Sequence, residues 1–287
     1  MPTVRLATLG CKVNQYETQY VKELLERNGH VEAAAGEPAD LCVVNTCTVT
    51  HEGDAKSRQL IRRLHQAQPA AAIVVMGCYA TRDPAAVGRL PGVRHVITDK
   101  ARLVEEMAVH GVTAVPRGIS RFDDHQRAFV KVQDGCLLNC TFCIIPSVRP
   151  VVRSRPVEEI VDEVERLAAN GYREIVLTGV HLGHYGIDLA AAGRSRGYVA
   201  PARPTSAALP GDFRVRLSSL EAAEGARRPD PGDGPPPRRV SAPAPVPAVG
   251  VGPHPGGDEA EASPLAGSST GVAASVPRWT RRRSARM

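Results

Sequence analysis

The chain has 287 residues and a formal net charge of +6, a length that suits one large domain or two smaller ones. No charged leader with a cleavage site opens the chain, and no apolar run approaches the roughly 18 residues needed to span a membrane. We therefore expect a cytoplasmic location and no membrane partner. Seven cysteines in such a chain favour metal or redox use over a disulfide framework.

Strand-like and helix-like segments alternate along the first part of the chain. Apolar runs occur at VRLATLG, DLCVVNTC, AAIVVMGC and RHVIT, and amphipathic stretches such as QYETQYVKELLERNG and GDAKSRQLIRRLHQAQ separate them. Short continuous apolar strands between helices are typical of a parallel sheet covered on both faces. Residues 1–111 are therefore predicted to form an α/β domain with a doubly wound parallel sheet.

The pattern changes after this domain. Residues 112–127 are polar and contain Pro and Gly, which predicts a linker. The alternation resumes at RAFVKVQDG, VEEIVDEVERLAANGY, REIVLTGV and FRVRLSSLE, so residues 128–221 are predicted to form an incomplete β/α barrel. Residues 190–208 and 222–287 are rich in Pro, Gly, Ala, Ser and Arg without apolar periodicity, which predicts disorder in both segments.

The strongest chemical signal is the segment GCLLNCTFCIIP, which follows a predicted strand. It places Cys136, Cys140 and Cys143, here called the loop triad, in a C-x3-C-x2-C array. Three thiolates can each bind one iron of a [4Fe–4S] cube and leave the fourth iron open for a chelating cofactor. A zinc knuckle or unligated core cysteines are the alternatives, but structural zinc sites want four protein ligands.

A second set of cysteines is dispersed along the chain. Cys11, Cys47 and Cys78, here called the strand-end triad, each follow a predicted strand. The carboxyl ends of parallel strands gather at one edge of a sheet, so these cysteines are predicted to converge on a second cluster with an open iron. A strand-end cysteine is also often just a small buried residue. Cys42 lies inside a strand and is predicted to pack in the core.

Several motifs occur together in the order found in one enzyme family. They are TLGCKVNQYE, VVNTCTVT, MGCYA, VQDGCLLNCTFCIIPSVRP and EIVLTGVHLGHYG. They resemble the radical S-adenosylmethionine (SAM) methylthiotransferases of the MiaB/MtaB/RimO group. The resemblance runs almost continuously from Val4 to about Gly186, with a further fragment at LPGDFRVRLSSLE. GCKVNQYE and LTGVHLGHYG are most similar to the MtaB branch.

The resemblance implies a tRNA methylthiotransferase acting at C2 of the threonylcarbamoyladenosine beside the anticodon. Relatives act on isopentenyladenosine in tRNA or on a ribosomal protein, and these substrates remain alternatives. The implied cofactors are two [4Fe–4S] clusters and SAM, with the strand-end triad on an auxiliary cluster and the loop triad on the cluster that cleaves SAM. One SAM would methylate the sulfur, and a second would yield the radical that removes hydrogen. Implied partners are tRNA, an electron donor and a sulfur source, and we expect a monomer.

The same resemblance suggests which residues contact SAM. They are the aromatic residue before the last cysteine of the loop triad and residues at the ends of two strands: Phe142, Gly179, Val180, His181, Ser218 and Glu221. The glycine would permit close approach of the cofactor, although an ordinary strand-to-loop turn is an alternative. His181 and His184 are expected at a polar rim or facing solvent, and neither is assigned as a catalytic base.

Other polar residues near the cysteines have two possible roles. Arg149, Arg153 and Arg155 are suited to phosphate contact through the guanidinium fork, and a solvated basic loop is the alternative. Asn45 and Thr46 precede Cys47 and are predicted to hydrogen-bond cluster sulfides.

The sequence departs from the family after RLSSLE. Further β/α units and an RNA-binding TRAM domain are not recognisable there, which suggests truncation or shifted reading frames. A barrel of about three strands would leave the SAM pocket unshielded, so we expect this chain to be poorly active or inactive. A non-catalytic metal-binding and RNA-binding protein is the alternative from another class, and iron and sulfide analysis separates the two.

Overall fold

In the computed structural model, the described residues are 1–123, 125–191 and 213–218. They form two β/α domains, each built on its own sheet. The segment 222–287 and most of the segment 190–208, both predicted to be disordered, lie outside the described residues. Ala190 and Ala191 are an exception, because they end a short helix. Within the described part of the chain, no helix is both long and apolar enough to cross a membrane.

The first domain contains five strands and five helices among its described residues. The strands are β1 (Thr3–Thr8), β2 (Val31–Glu32), β3 (Leu41–Thr46), β4 (Ala72–Gly77) and β5 (Val93–Val96). The helices are α1 (Lys12–Arg27), α2 (His51–Ala67), α3 (Cys78–Arg82), α4 (Pro84–Gly88) and α5 (Leu103–Met107). All neighbouring strands are parallel, in the order β2-β1-β3-β4-β5.

Two separate apolar clusters cover the faces of this sheet. On one face Val43 and Val74 pack with Leu24 of α1 and Met107 of α5. On the other face lie Val44 and Val75, together with Ile61 of α2 and Val87 of α4. Fully burying one such side chain contributes roughly 1.5–3 kcal/mol. The prediction of a doubly wound parallel sheet is therefore confirmed, and Cys42 is fully buried in the second cluster as predicted.

The second domain is a four-stranded sheet with helices on its connections. Its elements are β6 (Arg127–Asp134), α6 (Ile145–Val148), β7 (Arg153–Ser154), α7 (Val157–Ala169), β8 (Glu174–Gly179), α8 (Ile187–Ala191) and β9 (Arg214–Leu217). The order is β7-β6-β8-β9, and only β7 is antiparallel to its neighbour. The described strands thus form part of a β/α barrel, as predicted.

The segment predicted to be a linker is packed against both domains. Ile119 and Phe122 are buried in the core of the second domain, and that core also includes Tyr16 of α1. Glu23 of α1 accepts hydrogen bonds from the backbone N–H groups of Ser120 and Arg121. The segment therefore joins the two sheets through fixed contacts, which polar composition alone did not indicate.

Candidate functional site

The strand-end triad lies where three neighbouring strands end. β1 and β3 are adjacent, and Thr8 pairs with Asn45, while Thr46 of β3 pairs with Gly77 of β4. Each cysteine follows its strand by one to three residues. After β1 the chain crosses to one side of the sheet and after β3 to the other, so the crevice between these two strands is the place where such sheets bind ligands.

Cys47 interacts electrostatically with both other cysteines of this triad. A Cβ atom added to Gly10 would lie 3.3 Å from Sγ of Cys47, so the Cys11 loop touches the Cys47 loop. Burial raises the pKa of the Cys47 thiol, and the charges of Cys78 and Cys11 raise it further. Cys78 is 4% exposed, whereas Cys11 is exposed. Three cysteines at one edge are a donor set that fits an iron–sulfur cluster, whose iron ions would compensate the charge of the thiolates that bind them.

The turn before Cys78 admits only glycine. Gly77 has φ of +99°, and a Cβ atom there would lie 2.4 Å from both Oδ1 of Asn45 and the carbonyl oxygen of Thr46. This close approach allows the Cys78 turn to sit directly over the end of β3. The glycine is thus a positioning residue that the cysteine pattern did not single out.

Asn14 of α1 holds two of the cysteine loops, and the cysteine pattern gave no sign of it. Its Nδ2 donates to the carbonyl oxygens of Leu9 (2.8 Å) and Thr46 (3.0 Å). These carbonyls lie two residues before Cys11 and one residue before Cys47. The side chain is 1% exposed, so its hydrogen bonds form in a low-dielectric setting where leaving them unmade is costly.

The roles predicted for Asn45 and Thr46 need correction. Asn45 donates through Nδ2 to the carbonyl oxygen of Asn14 at 2.9 Å, and Thr46 donates through Oγ1 to the carbonyl oxygen of Met76 at 2.6 Å. Both side chains are buried, and their donors bind backbone carbonyls. These donors support the neighbouring backbone and are already engaged.

Arg149 is neither a phosphate contact nor part of a solvated loop. It is 5% exposed, and its guanidinium binds Glu17 and Asp134 at 2.7 to 2.9 Å. Its Nε lies 3.4 Å from Sγ of Cys78. Burial alone would lower the pKa of Arg149, but the two carboxylates outweigh it and raise the pKa. A residue from the second domain thus contacts the strand-end triad.

The other two arginines differ from each other. Arg155 donates to Glu163 at 2.5 Å and to the hydroxyl of Tyr16 at 3.0 Å, so it is a structural contact between α1 and α7. Arg153 is half exposed, with Asp99 3.9 Å away. Of the three arginines, only Arg153 remains available on the surface.

The three cysteines of the loop triad follow β6, and they differ from one another in solvent exposure. Cys136 is buried, Cys143 is half-buried and Cys140 is exposed. Gly135 has φ of +80°, and a Cβ atom there would lie 2.0 Å from the carbonyl oxygen of Val151. Phe142 is 91% exposed. Three thiols on one short loop, with the first anchored, provide a donor set that fits a second cluster with an open iron.

The predicted SAM-contact residues at the end of β8 lie beside the loop triad. Gln133 accepts a hydrogen bond from the N–H of His181 at 2.8 Å and donates to the carbonyl oxygen of Gly135 at 2.6 Å. A Cβ atom at Gly179 would lie 2.8 Å from Oε1 of Gln133. Val180 is half-buried between them. Gln133, which sequence reasoning missed, therefore ties the cysteine loop to this turn.

The two histidines after β8 are not solvent-facing. His181 and His184 are both buried, and their rings stack at 4.1 Å between centroids with planes 13° apart. A nitrogen of each ring and Sγ of Cys136 lie within 4.8 Å of one another. Because the rings are nearly parallel, their nitrogen lone pairs do not point at a common centre. The pair packs against the first cysteine of the loop triad, which corrects the prediction of a rim position.

Ser218 follows β9, where its N–H donates to the carbonyl oxygen of Leu177 at 2.9 Å. Nζ of Lys12 lies 3.5 Å from its Oγ, so the residue after β9 lies near the Cys11 loop. Glu221 lies outside the described residues. A cavity of about 950 Å³ opens between α1, α7 and the segment 148–155, and Arg149 forms part of its wall.

Two family models match the chain in turn. Residues 3–98 match the one described as "Uncharacterized protein family UPF0004", and residues 130–208 match "Radical SAM superfamily". The radical SAM methyltransferase TsrM from Kitasatospora setae was solved with cobalamin and a [4Fe-4S] cluster bound. It is 18% identical to this chain with a TM-score of 0.45, and the match covers 75% of this chain and 56% of TsrM.

Curated relatives are similar over most of the described residues. The threonylcarbamoyladenosine tRNA methylthiotransferase MtaB of Bacillus subtilis is 38% identical over 241 residues, which cover 78% of this chain and 52% of the relative. The MtaB protein of Thermotoga maritima is 36% identical, with coverage of 77% and 52%. The tRNA-2-methylthio-N(6)-dimethylallyladenosine synthase of Acidothermus cellulolyticus is 34% identical, with coverage of 65% and 41%. The chain spans about half the length of the curated relatives it matches.

The two domains and their cysteine triads coincide with the two family matches, a UPF0004 match over the first domain and a radical SAM match over the second. More narrowly, the matched part of the chain is similar to curated enzymes that are named for methylthio transfer to tRNA.

Proposed function

We propose that this protein is a tRNA methylthiotransferase that modifies C2 of threonylcarbamoyladenosine. The observation that carries the proposal is the convergence of Cys11, Cys47 and Cys78 at three strand ends, beside a second domain that bears the loop triad. The MtaB relatives are 34–38% identical, whereas those named for other substrates are 32–34% identical.

The two triads are assigned different roles. The strand-end triad would hold the auxiliary [4Fe–4S] cluster that carries the sulfur, and the loop triad would hold the cluster that binds SAM. When bound, these groups supply an organic radical and an activated sulfur. A radical is required because the C2–H bond of adenosine is neither acidic nor electrophilic enough for acid–base catalysis.

The protein's own residues would orient SAM and exclude water. Gly179 leaves space at the end of β8, and Gln133 holds the following turn against the cysteine loop. Val180, His181 and Ser218 border the same region, and we assign SAM contact to them together with Phe142 and Glu221. The exposed ring of Phe142 would be covered once the cofactor and substrate bind, because a radical intermediate must be kept from solvent.

The partners follow from this assignment. We propose tRNA as substrate, a one-electron donor for the SAM cluster and a sulfur source for the auxiliary cluster. A monomer in the cytoplasm, where tRNA is modified, is the simplest arrangement. The net charge of +6 is compatible with an RNA partner.

The test is an anaerobic assay of the reconstituted chain with SAM, sulfide, dithionite and tRNA that carries threonylcarbamoyladenosine. Mass spectrometry of digested tRNA is expected to show the methylthio derivative, in low yield because a barrel of about three strands leaves the SAM pocket unshielded. The same mixture is expected to release 5′-deoxyadenosine from SAM, and replacing the loop triad with alanine abolishes both products. Methylthiolation only of isopentenyladenosine or of the ribosomal protein, or no cleavage of SAM, would contradict the proposal.

A further inference from the structure

Arg149 contacts one cysteine from each triad. Its side-chain Nε lies 3.4 Å from Sγ of Cys78, and its carbonyl oxygen accepts a hydrogen bond from the N–H of Cys136 at 3.1 Å. Cys78 belongs to the first domain and Cys136 to the second. A single residue therefore joins the two candidate cluster sites, through its side chain on one side and its backbone on the other.

The guanidinium of Arg149 is held in one orientation. Nη1 donates to Glu17 at 2.8 Å and to Asp134 at 2.7 Å, and Nη2 donates to Glu17 at 2.9 Å and to Asn14 at 3.0 Å. With the contact to Cys78, all five N–H groups of the fork have an acceptor. Such a group cannot turn away from the sulfur without breaking several buried hydrogen bonds.

The charges around Arg149 nearly balance. Lys131 donates to Glu17 and to Asp134 at 2.6 Å each, and Lys100 interacts electrostatically with Arg149, Glu17, Asp134 and Cys78. Three cations therefore face two carboxylates. Removing the guanidinium alone would take one positive charge away from beside Cys78. Removing the charge of Glu17 alone would increase the excess of positive charge there.

We propose that Arg149 is a positioning residue that raises the reduction potential of the auxiliary cluster by donating a hydrogen bond and positive charge to Cys78. The proposal rests on the proposed function in that it assigns a cluster to the strand-end triad. Hydrogen bonds to ligating sulfurs and nearby positive charge favour the reduced form, which carries one more negative charge. Its contact with Cys136 places the same residue against the loop triad.

The experiment isolates the auxiliary cluster. In a chain with the loop triad replaced by alanine, iron and sulfide reconstitution is expected to give about four irons. The ratio of reduced to oxidised cluster is then followed by EPR during titration with dithionite, which supplies the single electron. Four variants are compared in this background: Arg149→Met, Arg149→Lys, Glu17→Gln and the half-exposed control Arg153→Met.

Arg149→Met is expected to lower the ratio of reduced to oxidised cluster at fixed potential by about tenfold, which equals about 59 mV for a one-electron couple. Arg149→Lys keeps the positive charge but loses the planar guanidinium and its hydrogen bonds. It is therefore expected to lower the ratio of reduced to oxidised cluster by less than Arg149→Met does. Glu17→Gln is expected to increase the ratio, and Arg153→Met to leave it unchanged. The opposite sign for Glu17→Gln separates electrostatics from general disruption, and it keeps the test decisive if Arg149→Met fails to fold.

Two outcomes would overturn the proposal and are distinguishable. If the parent chain binds iron but Arg149→Lys and Glu17→Gln leave the ratio unchanged, or shift it in the same direction, Arg149 does not set the potential and the proposed function stands. If the parent chain without the loop triad binds no iron, the auxiliary cluster itself is absent and both proposals fail.

Discussion

Replacing Asn14 with alanine tests whether one buried amide holds the strand-end triad in shape. The side chain donates to the carbonyl oxygens of Leu9 and Thr46 and accepts from Arg149. Alanine would leave these three groups without that partner in a site where Asn14 is 1% exposed. An unsatisfied buried polar group costs roughly 1–3 kcal/mol, and partial relaxation reduces the sum. We therefore expect the free energy of unfolding to fall by about 3 kcal/mol.

The assay for this variant combines urea unfolding of the iron-free chain with iron analysis after reconstitution. Besides the lost stability, Asn14→Ala is expected to lose iron from the strand-end triad while the loop triad retains its own. Asn28→Ala is the matched control, since Asn28 lies at the other end of α1 and also bonds backbone groups, including the carbonyl of Ala114 and the N–H of Thr113. It is expected to lose stability without losing iron. A destabilisation below about 1 kcal/mol together with full iron binding for Asn14→Ala would refute the reasoning.

Three further predictions concern single residues. Gly135→Ala is expected to lower the melting temperature and to remove iron from the loop triad, because its Cβ would lie 2.0 Å from the carbonyl oxygen of Val151. Gly171→Ala is the control, since a Cβ there meets no atom within 4 Å. Its left-handed backbone is expected to lower the free energy of unfolding by only about 1–2 kcal/mol. Cys42→Ala is expected to destabilise the core in urea unfolding yet to leave the iron content unchanged. Burial alone would raise the pKa of Glu17, but Arg149 and Lys131 lower it to about 2, so acid titration of stability is expected to show a loss of about 3 kcal/mol.

The sign of the acid effect follows from the direction of the shift. The folded-state pKa of Glu17 lies below its ordinary value of 4.5, so the stabilisation is complete above that value and is lost as the pH falls through about 2. Glu17→Gln is expected to flatten the stability profile over this window. An unchanged profile in the variant would contradict the assignment, as would full iron binding by Gly135→Ala or loss of iron from Cys42→Ala.

Much of the fold was predictable because its signals are local. Apolar runs such as Leu41–Thr46 and Ala72–Gly77 are long enough to mark buried strands, and the structure places strands there. The two-residue strands Val31–Glu32 and Arg153–Ser154 were missed, because two residues carry no periodicity. The order of the strands was also not predictable, although it is what forms the crevice between β1 and β3.

The candidate site was predictable only in part. The positions of the cysteines predict a shared site, because the ends of parallel strands meet at one edge of the sheet. No comparable sequence pattern marks Asn14, Gln133 or Glu17. Arg149 lies in an Arg-rich loop, and such a loop predicts a phosphate contact or a solvated side chain. Its main partner, Glu17, is 132 positions away in the sequence, so only the packing of the two domains reveals that the charge is buried and neutralised.

The most direct test of the central claim is the iron and sulfide content after anaerobic reconstitution, read with absorbance and EPR. The full chain is predicted to bind about eight irons, and each variant with one triad replaced by alanine about four. The variant that lacks the strand-end triad should still bind SAM at its remaining cluster. One zinc per chain with no sulfide, or the same iron content in all three proteins, would contradict the assignment of two clusters to Cys11, Cys47 and Cys78 and to the loop triad.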